Sequence, residues 1–347
     1  MSAVTEIRRG EKPSFREEPP PKSDIVVVSH RKDADGITSA ALIHYLNQGK
    51  VILTDYGEMV ETLEKVQEAR EVFICDLGLN NTTFDGFLEQ VKRMGSHGFV
   101  HYIDHHPIDP EFKRKLTEAK VDLFHSTEES AAILVFQKFE DKLRMSPKMK
   151  ILACCGAITD YMDLQPYAKK LIASFDRQFL LYESTVLSFT IAMIGREGTT
   201  GNESLVQIVE ELSEKDKLPH EIDNASYYSQ EFASHSADLI ERAKRDGKKL
   251  NNFAYYKTRE SSTGNVANFL IGAFDVPVGV SFRDDGPEHF EISLRSTMDS
   301  DYDLGKIAGK ISTALEASGG GHSHAAGARI KKDQLEDFIQ MLNKELH

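Results

Sequence analysis

The sequence predicts an α/β protein with two domains, a doubly wound parallel sheet followed by a smaller α/β domain. In the first half of the chain, short and continuously apolar strand patterns alternate with helical patterns. This alternation is typical of a parallel sheet that helices cover on both faces. A second run of strand and helix patterns begins near residue 250 and indicates the second domain. We expect a catalytic cleft between the two.

Five apolar runs are predicted to form the strands of the first domain; they span residues 24–30, 50–56, 71–77, 98–104 and 121–126. From about residue 128 the pattern becomes helical and stays so to about residue 245. The predicted organisation is a flexible N-terminal arm, a first domain, a helical connector and a second domain, at residues 1–23, 24–185, 186–249 and 250–347.

Composition excludes some classes of function. The 347 residues include 40% apolar and 28% charged residues, which is ordinary for a globular protein. The formal net charge of −13 argues against broad wrapping of duplex DNA, but it does not exclude a short single strand held at a metal site. Three cysteines, two of them adjacent, fit a reducing compartment. The start has no apolar leader, and the most apolar window, 179–195, predicts a buried helix, so we expect a cytoplasmic protein without a membrane span.

Acidic and imidazole side chains follow the predicted strands at the ends where ligands bind in an open parallel sheet. The first, third and fourth strands and a later apolar run deliver eight such residues: His30, Asp33, Asp35, Asp76, Asp104, His105, His106 and Asp160. Carboxylates mixed with imidazoles suit Mn²⁺, Mg²⁺ or Zn²⁺. The surplus of groups favours two ions, about 3.5–4 Å apart, that share a carboxylate. Taken singly, Asp33 or Asp35 is more often a turn or helix N-cap residue, and the His105–His106 pair could be a polar loop.

Five motifs in order resemble those of one family. "HRKDADG", the lone Asp76 after an apolar strand, "DHH" and "GAITD" look like the four motifs of the DHH phosphoesterase superfamily. "SGGGHSHAAG" (318–327) resembles the GGGH motif of the DHHA1 domain, the usual partner in the RecJ-like and nanoRNase-like branches. The resemblance covers residues 24–165 and 250–345. The Lys- and Glu-rich composition without Trp permits an archaeal or thermophilic source.

The resemblance implies a role for each motif residue. His30, Asp33 and Asp76 would hold one divalent ion; Asp35, Asp76, His105 and Asp160 would hold a second, with Asp76 bridging. Mn²⁺ would be preferred, with Mg²⁺ or Co²⁺ as alternatives. Asp104 would orient the site, and His106 would face the substrate phosphate, either stabilising its oxygens or donating a proton. In the second domain, Arg295 and His322 would grip phosphate.

The glycine-rich stretch also has a physical interpretation. Gly319, Gly320 and Gly321 permit positive φ angles and a close approach of backbone N–H groups to an anion. The alternative is a flexible turn after the helix that ends near Ala317.

The resemblance implies an exonuclease that hydrolyses single-stranded RNA, DNA or short oligonucleotides from an end by two-metal catalysis. Three alternatives stay open. One is a phosphatase of 3′-phosphoadenosine phosphate or cyclic-dinucleotide products, and a second, ranked lower, is a pyrophosphatase. The third is a replication protein that binds a GINS complex. Residues 165–245 could serve such a partner or only connect the domains. The sequence does not fix the oligomeric state.

Overall fold

The computed structural model describes residues 24–197, 199–260 and 262–346. The predicted arm at 1–23 lies outside them. Within the described residues the chain divides into two compact units. One comprises residues up to Leu181 together with Val206–Leu218; the other comprises Tyr182–Leu205 and the residues from Pro219 onward. The predicted connector, 186–249, is thus divided between the two units.

The first unit contains the predicted parallel sheet, which is confirmed. Its five strands are β1 (Ile25–His30), β2 (Lys50–Thr54), β3 (Glu71–Cys75), β4 (Phe99–Asp104) and β5 (Asp122–His125). They run in the order β2-β1-β3-β4-β5, and every neighbouring pair is parallel. The order reverses between β1 and β3, which makes this the switch point of a doubly wound sheet.

Helices connect these strands and follow them along the chain. Within the described residues they are α1 (Ala34–Asn47), α2 (Met59–Glu64), α3 (Phe84–Gly95), α4 (Pro110–Glu118), α5 (Ala131–Lys138), α6 (Glu140–Leu143), α7 (Pro147–Thr159), α8 (Pro166–Ile172), α9 (Arg177–Ile194) and α10 (Thr199–Ser213). The predicted buried helix at 179–195 corresponds to α9. Among the residues that the structure describes, none of the helices is long and apolar enough to cross a membrane.

The sheet is buried on both faces, as its continuously apolar strands predict. All six residues of β1 are buried. Val26 and Val28 belong to one apolar cluster with side chains of α2 and α3, such as Met59 and Phe87. Helices α1, α5 and α7 pack against one another, and α1 and α5 also pack against the strands. Packing in the core therefore holds β1 and β3 in place, and with them the residues at their ends.

The second unit is built on a mixed sheet, the α/β domain that the sequence predicts. Its strands are β6 (Lys248–Leu250), β7 (Phe253–Lys257), β8 (Val278–Asp285), β9 (His289–Ser296), β10 (Ser318–Gly321) and β11 (Ala325–Lys331). The order is β10-β11-β9-β8-β7-β6, with only β7 and β8 parallel. Its helices are α11 (Ala225–Asp246), α12 (Thr263–Phe274), α13 (Leu304–Ala314) and α14 (Leu335–Glu345).

The glycine-rich stretch differs from the flexible turn that the sequence allowed. Residues Ser318–Gly321 form the edge strand β10, antiparallel to β11. Gly320 and Gly321 have φ angles of 154° and 141°, which residues with a Cβ rarely adopt. Glycine carries no apolar or polar pattern, so nothing in the sequence indicated a strand here. The turn proper is confined to the three residues after it.

The end of α7 carries backbone strain. Asp160 is its C-cap, and Tyr161 follows in the left-handed region with φ 59°. Met162 N–H donates to Ala157 O at 2.8 Å, closing the helix end in the pattern that glycine normally completes. Tyr161 is 70% exposed, so little packing compensates for the strain.

We expect Tyr161→Gly to stabilise the protein by about 1 kcal/mol, because glycine adopts this conformation without a Cβ clash. The melting temperature of the metal-free protein should rise by roughly 2–4 °C in thermal unfolding. Leu164→Gly is the matched control, since Leu164 is similarly exposed but has no positive φ. It should lower the melting temperature or leave it unchanged. A lower value for Tyr161→Gly would contradict the assignment of strain.

Candidate metal centre

The carboxyl ends of neighbouring strands bring the candidate residues together. His30 ends β1 and pairs with Thr54, the last residue of β2. Asp76 follows β3 directly, and its N–H donates to Ile103 O of β4 at 3.1 Å. Asp104 ends β4. Parallel strands end at one edge, so these side chains meet at the switch point of the sheet.

His30, Asp33 and Asp76 form a first group whose ligand atoms all lie within 4.8 Å of one another. His30 Nδ1 lies 2.7 Å from Asp33 Oδ2 and 3.7 Å from Asp76 Oδ2. His30 and Asp76 are buried, with 4% and 2% of their surfaces exposed. The first predicted ligand set is therefore assembled in the structure.

Asp35, His105 and Asp160 form a second group within the same limit. His105 Nε2 lies 3.4 Å from Asp160 Oδ2 and also 3.4 Å from Asp76 Oδ1. Asp76 therefore directs one carboxylate oxygen toward each group. His106 satisfies the same distance limit with Asp76 and His105, so it borders the second group.

The two groups fit divalent cations. Among the residues described, both ring nitrogens of His30 and Asp76 Oδ2 are buried without a hydrogen-bond partner, although acceptors and donors lie close by. Buried polar atoms are rarely left unsatisfied, and a cation beside them would satisfy Asp76 Oδ2 and one ring nitrogen of His30. The donor set of carboxylate oxygens and imidazole nitrogens is that of Mn²⁺, Mg²⁺ or Zn²⁺.

Asp33 combines the two roles between which the sequence could not decide. It is the N-cap of α1, and its Oδ1 accepts from Gly36 N–H at 2.9 Å. Its other oxygen, Oδ2, faces His30 Nδ1. One carboxylate thus starts the helix with one oxygen and leaves the other for the first group.

Asp35 is held by a helix N-terminus. Its two oxygens accept from the backbone N–H groups of Ala131 and Ala132, the first residues of α5, at 2.7 and 3.0 Å. Helix α7 approaches so closely that a Cβ on Gly156 would lie 2.5 Å from Asp35 Oδ1. Glycine is needed there for Asp35 to keep its orientation.

Asp76 adopts a left-handed backbone conformation, with φ 55°. Aspartate and asparagine tolerate this region better than other residues with a Cβ, at some energetic cost. Strained residues persist where their surroundings overdetermine them, and they cluster at functional sites. Here the strain sits on the one carboxylate that faces both groups.

Asp104 contacts His106 rather than either group directly. Asp104 Oδ1 lies 3.0 Å from His106 Nδ1, and Oδ2 accepts from His106 N–H at 3.2 Å. The buried Tyr102 hydroxyl donates to Asp104 Oδ2 at 3.1 Å. A Cβ on Gly78 would lie 2.8 Å from His106 Cγ, so a glycine there leaves room for the ring. These contacts hold the His106 imidazole on its Nδ1 side.

Sequence reasoning missed two residues at this edge, Asp55 and Tyr56. Both follow β2, which ends at Thr54 and not at residue 56 as predicted. Asp55 Oδ1 lies 3.5 Å from His30 Nε2, and its other oxygen contacts Lys32 Nζ. The Tyr56 hydroxyl lies 3.1 Å from His106 Nε2. A predicted strand that ended at Thr54 would have placed both residues at the carboxyl end of β2, where ligands bind in a parallel sheet.

Without a bound cation the cluster retains protons. Burial, together with the charges of Asp76 and Asp33, raises the pKa of Asp160 to about 7. Burial and the charges of Asp76 and Asp160 also raise the pKa of Asp35. Burial alone would lower the pKa of His105, but hydrogen bonding to Asp76 and the carboxylate charges around it raise it to about 10. Nearby negative charge thus favours added positive charge at every one of these groups.

The remaining candidates lie in the second unit. Arg295, on β9, donates from Nη1 to Leu294 O at 2.9 Å, and its guanidinium packs against Gly264 at the start of α12. The exposed His322 follows β10, and its N–H donates to Ala325 O at 2.8 Å. Ala325 pairs with Arg295 across β11 and β9, so the turn and the arginine belong to adjoining strands.

Comparison with known families identifies both halves of the chain. The model of the DHH family, N-terminal domain, matches residues 24–159. The model of the DHHA1 domain matches residues 248–347. No curated protein matches the sequence of this chain significantly.

Solved structures share the fold at low sequence identity. A pGpG-specific phosphodiesterase, PggH from Vibrio cholerae, is 14% identical with a TM-score of 0.57, covering 93% of this chain and 98% of that one. The DHH domain of a member of the s1p family of ribosomal proteins is 16% identical with a TM-score of 0.65, covering 92% and 86%. RecJ from Thermus thermophilus, in complex with Mn²⁺, is 19% identical with a TM-score of 0.55. It covers 92% of this chain, which spans only 51% of the RecJ chain.

We expect the metal-free protein to lose stability as the pH rises. The folded-state pKa values of Asp160 and His105, about 7 and about 10, exceed the ordinary 3.8 and 6.5. Asp160 therefore holds more protons in the folded than in the unfolded state between pH 3.8 and about 7, and His105 does so between pH 6.5 and about 10. The resulting stability is full at low pH and is lost as the pH rises through about 7 and then about 10. Mn²⁺ competes with these protons, so its stabilising effect should grow over the same range.

Melting temperatures with chelator and with Mn²⁺, at pH about 5.5 and about 8.5, test this expectation. Asp160→Asn is the control, because it removes the titration near neutral pH and should flatten the pH dependence of the metal-free protein. A Mn²⁺ effect that is absent, or equal at both pH values, would contradict the assignment of these groups to a metal centre.

Proposed function

The chain belongs to the DHH/DHHA1 phosphoesterase superfamily, and from this premise we propose that it is a metal-dependent phosphodiesterase that hydrolyses short single-stranded oligonucleotides from an end. The observation that carries the proposal is Asp76. Its two oxygens face two separate groups of candidate ligands, which supports a site where two ions would share this carboxylate. Two bound divalent ions would supply Lewis-acid activation of water and of the phosphoryl group.

The side chains of this unit have distinct tasks in the proposal. His30 and Asp33 would hold one ion with Asp76, while Asp35, His105 and Asp160 would hold the other with it. The core behind β1 and β3, the start of α5 and the end of α7 keep these ligands in place before substrate binds. Such preorganisation lowers the barrier because no ligand has to move during the reaction.

His106 is the residue we propose to meet the phosphate. Burial alone would raise the pKa of Asp104, but hydrogen bonding and charge from His106 lower it, so Asp104 is a carboxylate. Burial alone would lower the pKa of His106, but the hydrogen bond and charge of Asp104 raise it. The pair favours an imidazolium, which can donate to a phosphoryl oxygen or protonate the leaving oxygen.

In the DHHA1 domain we propose that Arg295 and His322 bind a terminal phosphate or nucleotide. Arginine offers two parallel N–H donors to a phosphate, and the glycines of β10 permit a close approach to their backbone N–H groups. Recognition of an end would favour exonucleolytic or short-oligonucleotide substrates over the interior of a strand.

The similarity to PggH supports the choice of short substrates. This chain and PggH, described as pGpG-specific, align over nearly the whole of both. This chain spans 51% of the RecJ chain. We therefore place dinucleotides and short oligonucleotides first, and processive digestion of a long strand second.

The test compares end-labelled single-stranded RNA and DNA of graded length, from dinucleotides upward, after removal of metal and addition of Mn²⁺ or Mg²⁺. We expect Mn²⁺-dependent release of mononucleotides, fastest on the shortest substrates. Asp76→Asn should lower kcat/KM by more than about 100-fold, since loss of residues that only orient metal ligands already costs about 10–100-fold. Asparagine is chosen because it tolerates the left-handed backbone of residue 76.

Asp122→Asn is the matched control for that variant. Asp122 is a half-exposed carboxylate on β5 that pairs with His101 and Lys138, outside both ligand groups. It should retain full activity. Faster cleavage of long strands would favour the RecJ-like alternative, and release of inorganic phosphate alone would favour a nucleotide phosphatase. Hydrolysis by Asp76→Asn at the rate of the unaltered protein would contradict the proposal.

A further inference from the structure

Tyr56 lies between two histidines of the site, although no motif includes it. It follows β2 at the same edge of the sheet as the ligands. Its ring centroid is 4.6 Å from that of His30 and 5.6 Å from that of His106, with the second pair edge to face. Tyr56 is half-buried. A residue in this position touches both the first ligand group and the proposed phosphate contact.

The Tyr56 hydroxyl completes the hydrogen bonding of His106. Asp104 Oδ1 lies 3.0 Å from Nδ1 of the ring, and Tyr56 Oη lies 3.1 Å from Nε2. A carboxylate accepts only, so Nδ1 carries hydrogen in this contact. Nε2 is then the nitrogen left for other partners, and because it must carry hydrogen to donate to a phosphate oxygen, Tyr56 Oη accepts from it in that state. The ring is thus held from both sides.

The hydroxyl and the ring of Tyr56 have separate contacts. The hydroxyl oxygen makes its hydrogen bond with His106 Nε2. The ring contact with His30 belongs to the aromatic carbon atoms and would survive loss of the hydroxyl. Removing Oη alone should therefore act on His106 and leave the first ligand group as it is.

We propose that Tyr56 is a positioning residue for the reaction: its hydroxyl holds the His106 imidazole in the orientation in which the Nε2–H, shared between Tyr56 Oη and a phosphoryl oxygen, meets the phosphate. This role rests on the proposed phosphodiester hydrolysis. A ring tethered only by Asp104 can tilt about that hydrogen bond. Small misplacements of a reacting group cost more in the transition state than in the ground state, so kcat suffers more than KM.

The experiment uses Tyr56→Phe, which keeps the ring and removes the hydroxyl. With a dinucleotide substrate and saturating Mn²⁺, kcat should fall about tenfold, the worth of one good hydrogen bond, while KM changes by less than about twofold. The Mn²⁺ affinity from calorimetry and the melting temperature should match those of the unaltered protein. Tyr45→Phe, an exposed tyrosine on α1, is the matched control and should change nothing.

A second readout needs no activity. In the metal-free protein, the nitrogen NMR signals of the His106 ring should shift in Tyr56→Phe and stay unchanged in Tyr45→Phe. An unchanged kcat with unchanged ring signals would overturn the proposal. So would a loss of Mn²⁺ affinity in proportion to kcat, because Tyr56 would then act on the His30 group. If the unaltered protein hydrolyses nothing, the proposed function fails, and unchanged ring signals would overturn the Tyr56 contact separately.

Discussion

The concentration of negative charge at one edge of a buried parallel sheet is the constraint on which the first unit depends. Asp33, Asp35, Asp76 and Asp160 lie close together, Asp35 and Asp76 where little water can screen them, and the neighbouring imidazoles oppose their charge. Such a cluster persists without a cation by retaining protons, as the raised pKa values of Asp35 and Asp160 indicate. The surrounding fold supplies what the cluster cannot: a rigid core under β1 and β3, and the N-terminal N–H groups of α5 on Asp35.

Much of this arrangement could be predicted because it follows from the apolar pattern of the strands and from the positions of residues at the strand ends. Continuous apolar runs fix the parallel strands, and the strand-end rule then brings His30, Asp76 and Asp104 to one edge without any knowledge of tertiary contacts. Asp160 was found by its motif, yet its place at a helix end, after α7, does not follow from the strand pattern. The DHH and DHHA1 domains were identified from five motifs and are confirmed by the family models.

The residues that escaped prediction do so for physical reasons. Asp55 and Tyr56 prolong the pattern of β2, because tyrosine is common in strands and so gave no sign that the strand had ended. Glycines give no signal of pairing, so β10 looked like a turn. The twofold role of Asp33, helix cap and candidate ligand, is invisible in one dimension because each role uses a different oxygen. In each case the missing information is the direction of a side chain or of the backbone, which only packing decides.

The left-handed backbone at Asp76 also bears on how this lineage can change. Most substitutions there would strain the chain as well as remove the carboxylate, whereas asparagine and glycine fit the conformation. We therefore expect related proteins that have lost activity but kept the fold to carry asparagine or glycine at this position. In a set of related sequences, the residue at this one position would then distinguish inactive proteins from active ones.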